Sequence, residues 1–164
     1  MSKSLGPQLP PEVMAMLGGD DLQAGSGLTF TLVVSGQDGW PSFALLSVGE
    51  VLAMDAGTVR LALWPGSNTT AALTAAGKAT MMLVGGDSVW YVHLAARRGP
   101  DITAEGMNRA YFECSVEDVL VDKVTYAKIT SGISFELPDP DAVLGRWQRT
   151  IDLVRVAPPV PAAG

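Results

Sequence analysis

The stretch TVRLALWPGSNTTAALTAAGKATMMLV, Thr58 to Val84, contains the change of period that decides the fold. Val59, Leu61 and Leu63 alternate with Arg60 and Ala62, the two-residue repeat of a strand. Pro65-Gly66 breaks that repeat. Ser67 and Asn68 are helix-capping residues, because their side-chain oxygens accept from the first free N–H groups. Ala-rich sequence follows and Gly77 closes it, so a short helix is predicted between two strands. Lys78 to Val84 resumes as a strand.

Working outward toward the N-terminus, Leu28, Phe30, Leu32 and Val34 alternate with Thr29, Thr31 and Ser35, a half-buried strand. Pro41 to Asp55 is apolar on both faces and reads as one long strand covered twice. Gly49 inside it predicts a bulge or a close approach by another element. Pro10 to Leu17 is a short helix. Toward the C-terminus, GGD turns the chain into SVWYVHLAARR, and Gly99-Pro100 precedes a further strand, RAYFECSVEDVLVDKV. TYAKITSGISFEL is a candidate extension of the sheet. Asp139 can cap a last helix, with Pro140 at its first position. Val143, Trp147, Ile151 and Val154 recur there at helical spacing, with Arg146, Arg149 and Asp152 on the wet side. The chain is therefore mainly β: six antiparallel strands in a closed or partly closed barrel, one inserted helix and one C-terminal helix.

The 164 residues suit one domain, assigned to 1–156. VAPPVPAAG, Val156 to Gly164, is Pro- and Ala-rich, and residues 157–164 are expected to be a disordered, extended tail. Hydrophobic residues make up 48%, enough for a full core. The net charge of −6 argues against a nucleic-acid partner and against docking on anionic membrane. One cysteine, Cys114, and one histidine, His93, leave no internal disulfide and no Cys/His zinc set, so no metal is expected. The N-terminus lacks an apolar signal core, and the longest apolar run is too short to span a bilayer. A soluble cytoplasmic protein is expected.

A helix start leaves its first N–H groups unpaired and carries a partial positive charge. PGSNTT places such a start after a glycine that lets a ligand come close. Two readings stand side by side: a plain N-cap, or an anion seat.

GWPSFALLSVGEVLA, the Thr58–Val84 stretch and VWYVHLAARR, in this order, resemble the pyridoxamine 5′-phosphate oxidase-like proteins over roughly Leu28 to Val124. The resemblance implies an FMN-binding, six-stranded antiparallel split β-barrel of Greek-key type, dimeric, with flavin at the subunit interface and a small-molecule substrate. It implies that the FMN phosphate sits on the loop after the third strand, here Trp64, Pro65, Gly66, Ser67, Asn68, Thr69 and Thr70. It also implies that the flavin ring lies along Leu46, Ser47 and Val48. Asn68 and Thr69 stand where the family carries Arg and Lys, which leaves the phosphate neutral donors only. Lys78, Arg97 and Arg98 are candidates to restore that charge. The function implied is an FMN-dependent, or deazaflavin-dependent, oxidoreductase. The alternative is a split-barrel dimer with an eroded flavin site, acting as a ligand-binding or scaffold protein. No catalytic residue is assigned.

Other residues carry weaker signals. His93 is a donor to a flavin edge, a proton shuttle or a structural strand residue. Cys114 alternates with Phe112 and Val116 as a core position. Glu50 on an apolar strand needs a partner: it pairs with Arg60, the first choice, or it marks the pocket. Trp64 and Trp90 are candidates to flank a planar ring.

Overall fold

In a computed structural model, residues 2–162 are described; Ala163 and Gly164, part of the expected tail, lie outside them. The strands are β1 (Lys3–Ser4), β2 (Phe30–Ser35), β3 (Pro41–Leu46), β4 (Val51–Asp55), β5 (Thr58–Leu63), β6 (Lys78–Gly85), β7 (Ser88–Arg98), β8 (Ile102–Ala104) and β9 (Met107–Asp122). The helices are α1 (Pro11–Leu17), α2 (Asn68–Ala76) and α3 (Pro140–Val156). The strands form one antiparallel sheet in the order β3-β2-β6-β7-β9-β5-β4, with β1 and β8 added on β9. This is the mainly β split-barrel class, with α2 inserted between strands and α3 at the end.

Nine strands stand among the described residues where six were expected: β1 and β8 are short additions, and Pro41–Asp55 is two strands, not one. β3 pairs with β2 from Ser35↔Pro41 to Phe30↔Leu46, and β4 pairs with β5. Between them Ser47–Glu50 turns the chain. Ser47 N and Oγ donate to Glu50 Oε2 at 2.8 and 2.9 Å, and Glu50 N donates to Ser47 O at 3.1 Å. These local side-chain bonds offer the backbone an alternative to the strand ladder. Gly49 is the close approach anticipated. A Cβ there would lie 2.1 Å from Trp147 Cγ, inside its van der Waals surface.

TYAKITSGISFEL does not extend the sheet beyond one bridge, Leu28↔Ser134. The β6–β7 turn has Gly86 and Asp87 at φ 58° and 70°, the left-handed pair that suits a two-residue hairpin. α3 is capped by Asp139, which accepts from Ala142 N at 3.2 Å. Its inner stripe, Trp147, Ile151 and Val154, is buried against β4 and β5.

That packing buries Arg60 on the second face of β5, and its partner is not Glu50. Glu113 is its cross-strand neighbour on β9, and its Oε2 accepts from Arg60 Nε and Nη2 at 3.0 and 2.9 Å. Arg60 Nη1 also donates to the carbonyls of Val154, Arg155 and Ala157 at the end of α3. Past α3, Tyr111 Oη donates to Pro158 O, Arg97 Nε to Val160 O, and Val160 N to Glu113 Oε1. Ala157, Pro158 and Val160 are thus hydrogen-bonded to this cluster: buried charges need acceptors, and these carbonyls supply them. Burial pushes the Tyr111 hydroxyl up to about 12. No helix among the described residues is long and apolar enough to cross a membrane.

Candidate flavin and ligand cleft

The Ser67–Thr70 segment is built first from its own hydrogen bonds. Ser67 is the N-cap of α2: its Oγ accepts from Thr70 N at 3.1 Å. The same hydroxyl donates to Thr70 Oγ1 at 2.9 Å, which in turn donates to Trp64 O at 2.7 Å. Thr69 Oγ1 lies 2.9 Å from Ser42 Oγ and donates to Phe43 O at 3.3 Å, stitching α2 to β3. These hydroxyls hold the loop. What faces outward is the start of α2, the exposed Asn68 and Gly66, over which no protein atom lies within 4 Å of a built Cβ.

A hollow of about 350 Å³ opens at this point, bordered by Ser67, Asn68 and Thr69. It shares Leu45, Leu46, Glu50 and Trp64 with a larger cleft of about 810 Å³. The large cleft is floored by the Ser47–Glu50 turn and Trp147, and walled by Trp64-Pro65, the β8–β9 turn and α3. Its size is within the range of small-molecule sites. Trp147 is fixed edge-on against Phe135, with ring centroids 6.3 Å apart. Thr150 Oγ1 reaches Met107 Sδ at 3.1 Å and so ties α3 to the start of β9.

The candidate residues separate into groups. Leu46, Ser47, Trp64 and Pro65 line the large cleft, and Ser67, Asn68 and Thr69 line the hollow that continues it. Thr70 is buried in the helix start. Val48 points the other way, packed on Gly25. Lys78 and His93 border a different cleft, of about 470 Å³, between β2, β6 and β7. Arg97 is held by Glu113 and Ser115, and Arg98 by Asp101 at 2.6 Å and Thr74. Trp90 is buried in β7 and borders neither the large cleft nor the hollow. The cations on the large cleft are instead Arg109, Arg146 and Arg149. Sequence patterning had placed the α3 pair only on a wet face, and nothing local to Arg109 marks it. Cys114 is buried, and burial pushes its thiol up to about 12, which makes it a poor nucleophile.

No protein-family model matches the chain. It is 32% identical over 137 residues to the uncharacterized protein YclD of Bacillus subtilis strain 168, an alignment covering 84% of this chain and 89% of that protein. The chain belongs to the same family as YclD. Among solved structures, it resembles a provisionally assigned pyridoxamine 5′-phosphate oxidase of Lactobacillus delbrueckii, with a TM-score of 0.56 at 15% identity over 71% of this chain and 98% of the other. HupZ of Group A Streptococcus is similar at a TM-score of 0.54 and 13% identity, over 76% and 100% of the two chains. An F420 reductase is similar at 0.51 and 13%, over 68% and 98%. The fold of this chain is thus the pyridoxamine 5′-phosphate oxidase-like split barrel.

Proposed function

We propose that the chain is a cytoplasmic, homodimeric, FMN-binding oxidoreductase of the pyridoxamine phosphate oxidase-like kind, acting on a small molecule. The observation that carries this reading is the continuous cleft from the start of α2 to α3. One end has the free donors of a helix start, and the other has apolar walls on which a planar ring can lie. A fold neighbour described as an F420 reductase keeps a deazaflavin in play as the alternative hydride carrier.

The residues present fit FMN with an uneven distribution of strength. Leu46 and Trp64 offer apolar and aromatic surface to the ring. The phosphate would rest on the backbone N–H groups at the start of α2, the Asn68 amide and the space over Gly66. No Lys or Arg among the described residues lines that hollow. Charge-assisted hydrogen bonds are about twice as strong as neutral ones, so this seat is a weak one. Bound flavin would supply the hydride chemistry; the chain's own part is to orient it, wall it off with Trp147 and α3, and exclude water.

Protein purified without added cofactor is expected to be largely empty and to bind FMN in the micromolar range or weaker, about 8 kcal/mol or less. Asn68→Lys adds a cation at an exposed helix start and should tighten FMN about tenfold, as read by flavin fluorescence quenching. Thr69 is the wrong place for that charge, because its hydroxyl is buried and bonded to β3. Unchanged or weaker FMN affinity in Asn68→Lys would remove the phosphate from this end. The self-satisfied hydroxyls of Ser67, Thr69 and Thr70 favour the second reading, an eroded flavin site on a scaffold. Failure to bind FMN at millimolar supply selects it.

A further inference from the structure

We propose that Arg109 is the seat for the anionic group of a second ligand in the large cleft, a carboxylate or phosphate on a small molecule beside the flavin. Arg109 is the third residue of β9 and is only 9% exposed. A guanidinium at that depth ordinarily has a counter-ion, because a charge taken out of water without one is costly. Among the described residues no carboxylate forms an ion pair with it. Its polar bond is from Nη1 to the carbonyl of the adjacent Asn108, at 2.8 Å. Its Cζ lies 4.3 Å from the centre of the Trp64 ring.

That stack explains how the charge is tolerated and what is left free. The ring occupies the guanidinium face, while the N–H donors project from its edge in the plane. Arg109 lines the cleft, and Nη1 is the guanidinium nitrogen already engaged, by Asn108 O. A fork of donors with one face shielded suits the two oxygens of a carboxylate or phosphate.

Arg146 and Arg149 extend from α3 toward the same space, so the positive side of the cleft is drawn from two elements of an otherwise acidic chain. Of the carboxylates on the cleft, Glu50 is engaged by Ser47, and Glu105 is exposed and not paired with Arg109. The seat is separate from the start of α2, since Arg109 borders the large cleft and not the hollow at Ser67. The role as substrate seat rests on the flavin reading above; the anion seat itself does not.

The test uses the full chain, purified without flavin. It is titrated with inorganic phosphate and, separately, with benzoate, each with and without saturating FMN. Binding is read from the NMR shift of the Arg109 Nε–Hε group, assigned by its loss in Arg109→Lys. Tryptophan fluorescence, referenced to Trp64→Phe, gives a second readout. The expected result is saturable binding that Arg109→Gln weakens about tenfold or more, with FMN affinity changed less than about threefold. Arg109→Lys should keep part of the anion affinity and lose the Trp64 response. A stronger phosphate than benzoate response assigns a phosphate-bearing ligand, and the reverse a carboxylate.

Three outcomes overturn the proposal. Neither anion saturates at millimolar concentration. Binding is the same in wild type and Arg109→Gln. Arg109→Gln weakens FMN by the same factor as the anion, which makes Arg109 the flavin's own ligand. Anion binding that persists in protein unable to bind FMN keeps the seat and sinks the oxidoreductase reading alone.

Discussion

Arg60 and Glu113 show how much one residue pair can decide. Both are buried, at 5% and 6% exposure, and Glu113 also receives Arg97, Tyr111 and the backbone of Val160. Glu113→Gln keeps the shape and removes the charge, leaving Arg60 and Arg97 without their counter-ion. Breaking a buried pair in this way should lower unfolding free energy by about 3–5 kcal/mol in urea titration. A loss under about 1 kcal/mol would mean that solvent reaches the cluster. Cys114, next in sequence, gives a pH signature. Its folded pKa is raised from 9.0 to about 12, so above pH 9 the unfolded chain releases a proton that the folded chain keeps. Stability should therefore be intact below pH 9 and fall by roughly 1.4 kcal/mol per unit between 9 and 12. Tyr111, raised to about 12 by burial, adds to the fall above pH 10. Cys114→Ala should flatten the slope between pH 9 and 10, as read by unfolding at stepped pH; an unchanged slope would assign it elsewhere.

At the scale of elements, the Ser47–Glu50 turn and α3 shape the cleft together. The turn brings Gly49 onto Trp147, and Trp147 holds one wall. A methyl at residue 49 cannot be absorbed by a flexible side-chain end, because it meets Trp147 at Cβ and at the ring atoms Cγ and Cδ1. Gly49→Ala should cost about 3 kcal/mol or more, beyond the usual range for overpacking, and open α3 away from the turn. Its thermal midpoint should fall and FMN affinity should fall with it. A variant that unfolds like wild type would show that α3 shifts freely, and would remove the reason for the glycine.

At the scale of the molecule, β3 is an edge strand with an uncovered apolar row. Phe43 and Leu45 are 62% and 59% exposed, with Trp40 at 77% beside them and Trp64 at 64% next to the cleft. Exposed apolar edges invite pairing. A second copy laid on this face would cover the row and close the hollow at the start of α2, which Phe43 and Leu45 border. We expect a dimer at micromolar concentration by light scattering, and a monomer for Phe43→Glu with Leu45→Glu. A wild-type monomer would count against it. A dimer unchanged by the double variant would move the interface away from β3.

The sequence by itself determined what depends on near neighbours. The alternation in Phe30–Val34, the Ser67 and Asp139 caps and the α3 stripe rest on contacts within a few residues, so they are legible in the order of residues. Even Gly49 announced a close approach, though not what approached it. The tertiary structure decided what depends on distant partners. Pro41–Asp55 reads as one strand because its apolar faces run on through Ser47–Glu50, and only the Ser47–Glu50 bonds and Trp147 fold it back. Arg60 found Glu113, far along the chain, because β5 pairs with β9. The sheet order sent Lys78 and His93 to another cleft and Val48 into the core, while it brought Arg109 from β9 onto Trp64. A charge is visible in a sequence, but whether a carboxylate stands beside it is decided only in space; among the described residues none pairs with Arg109, and that makes it a candidate site.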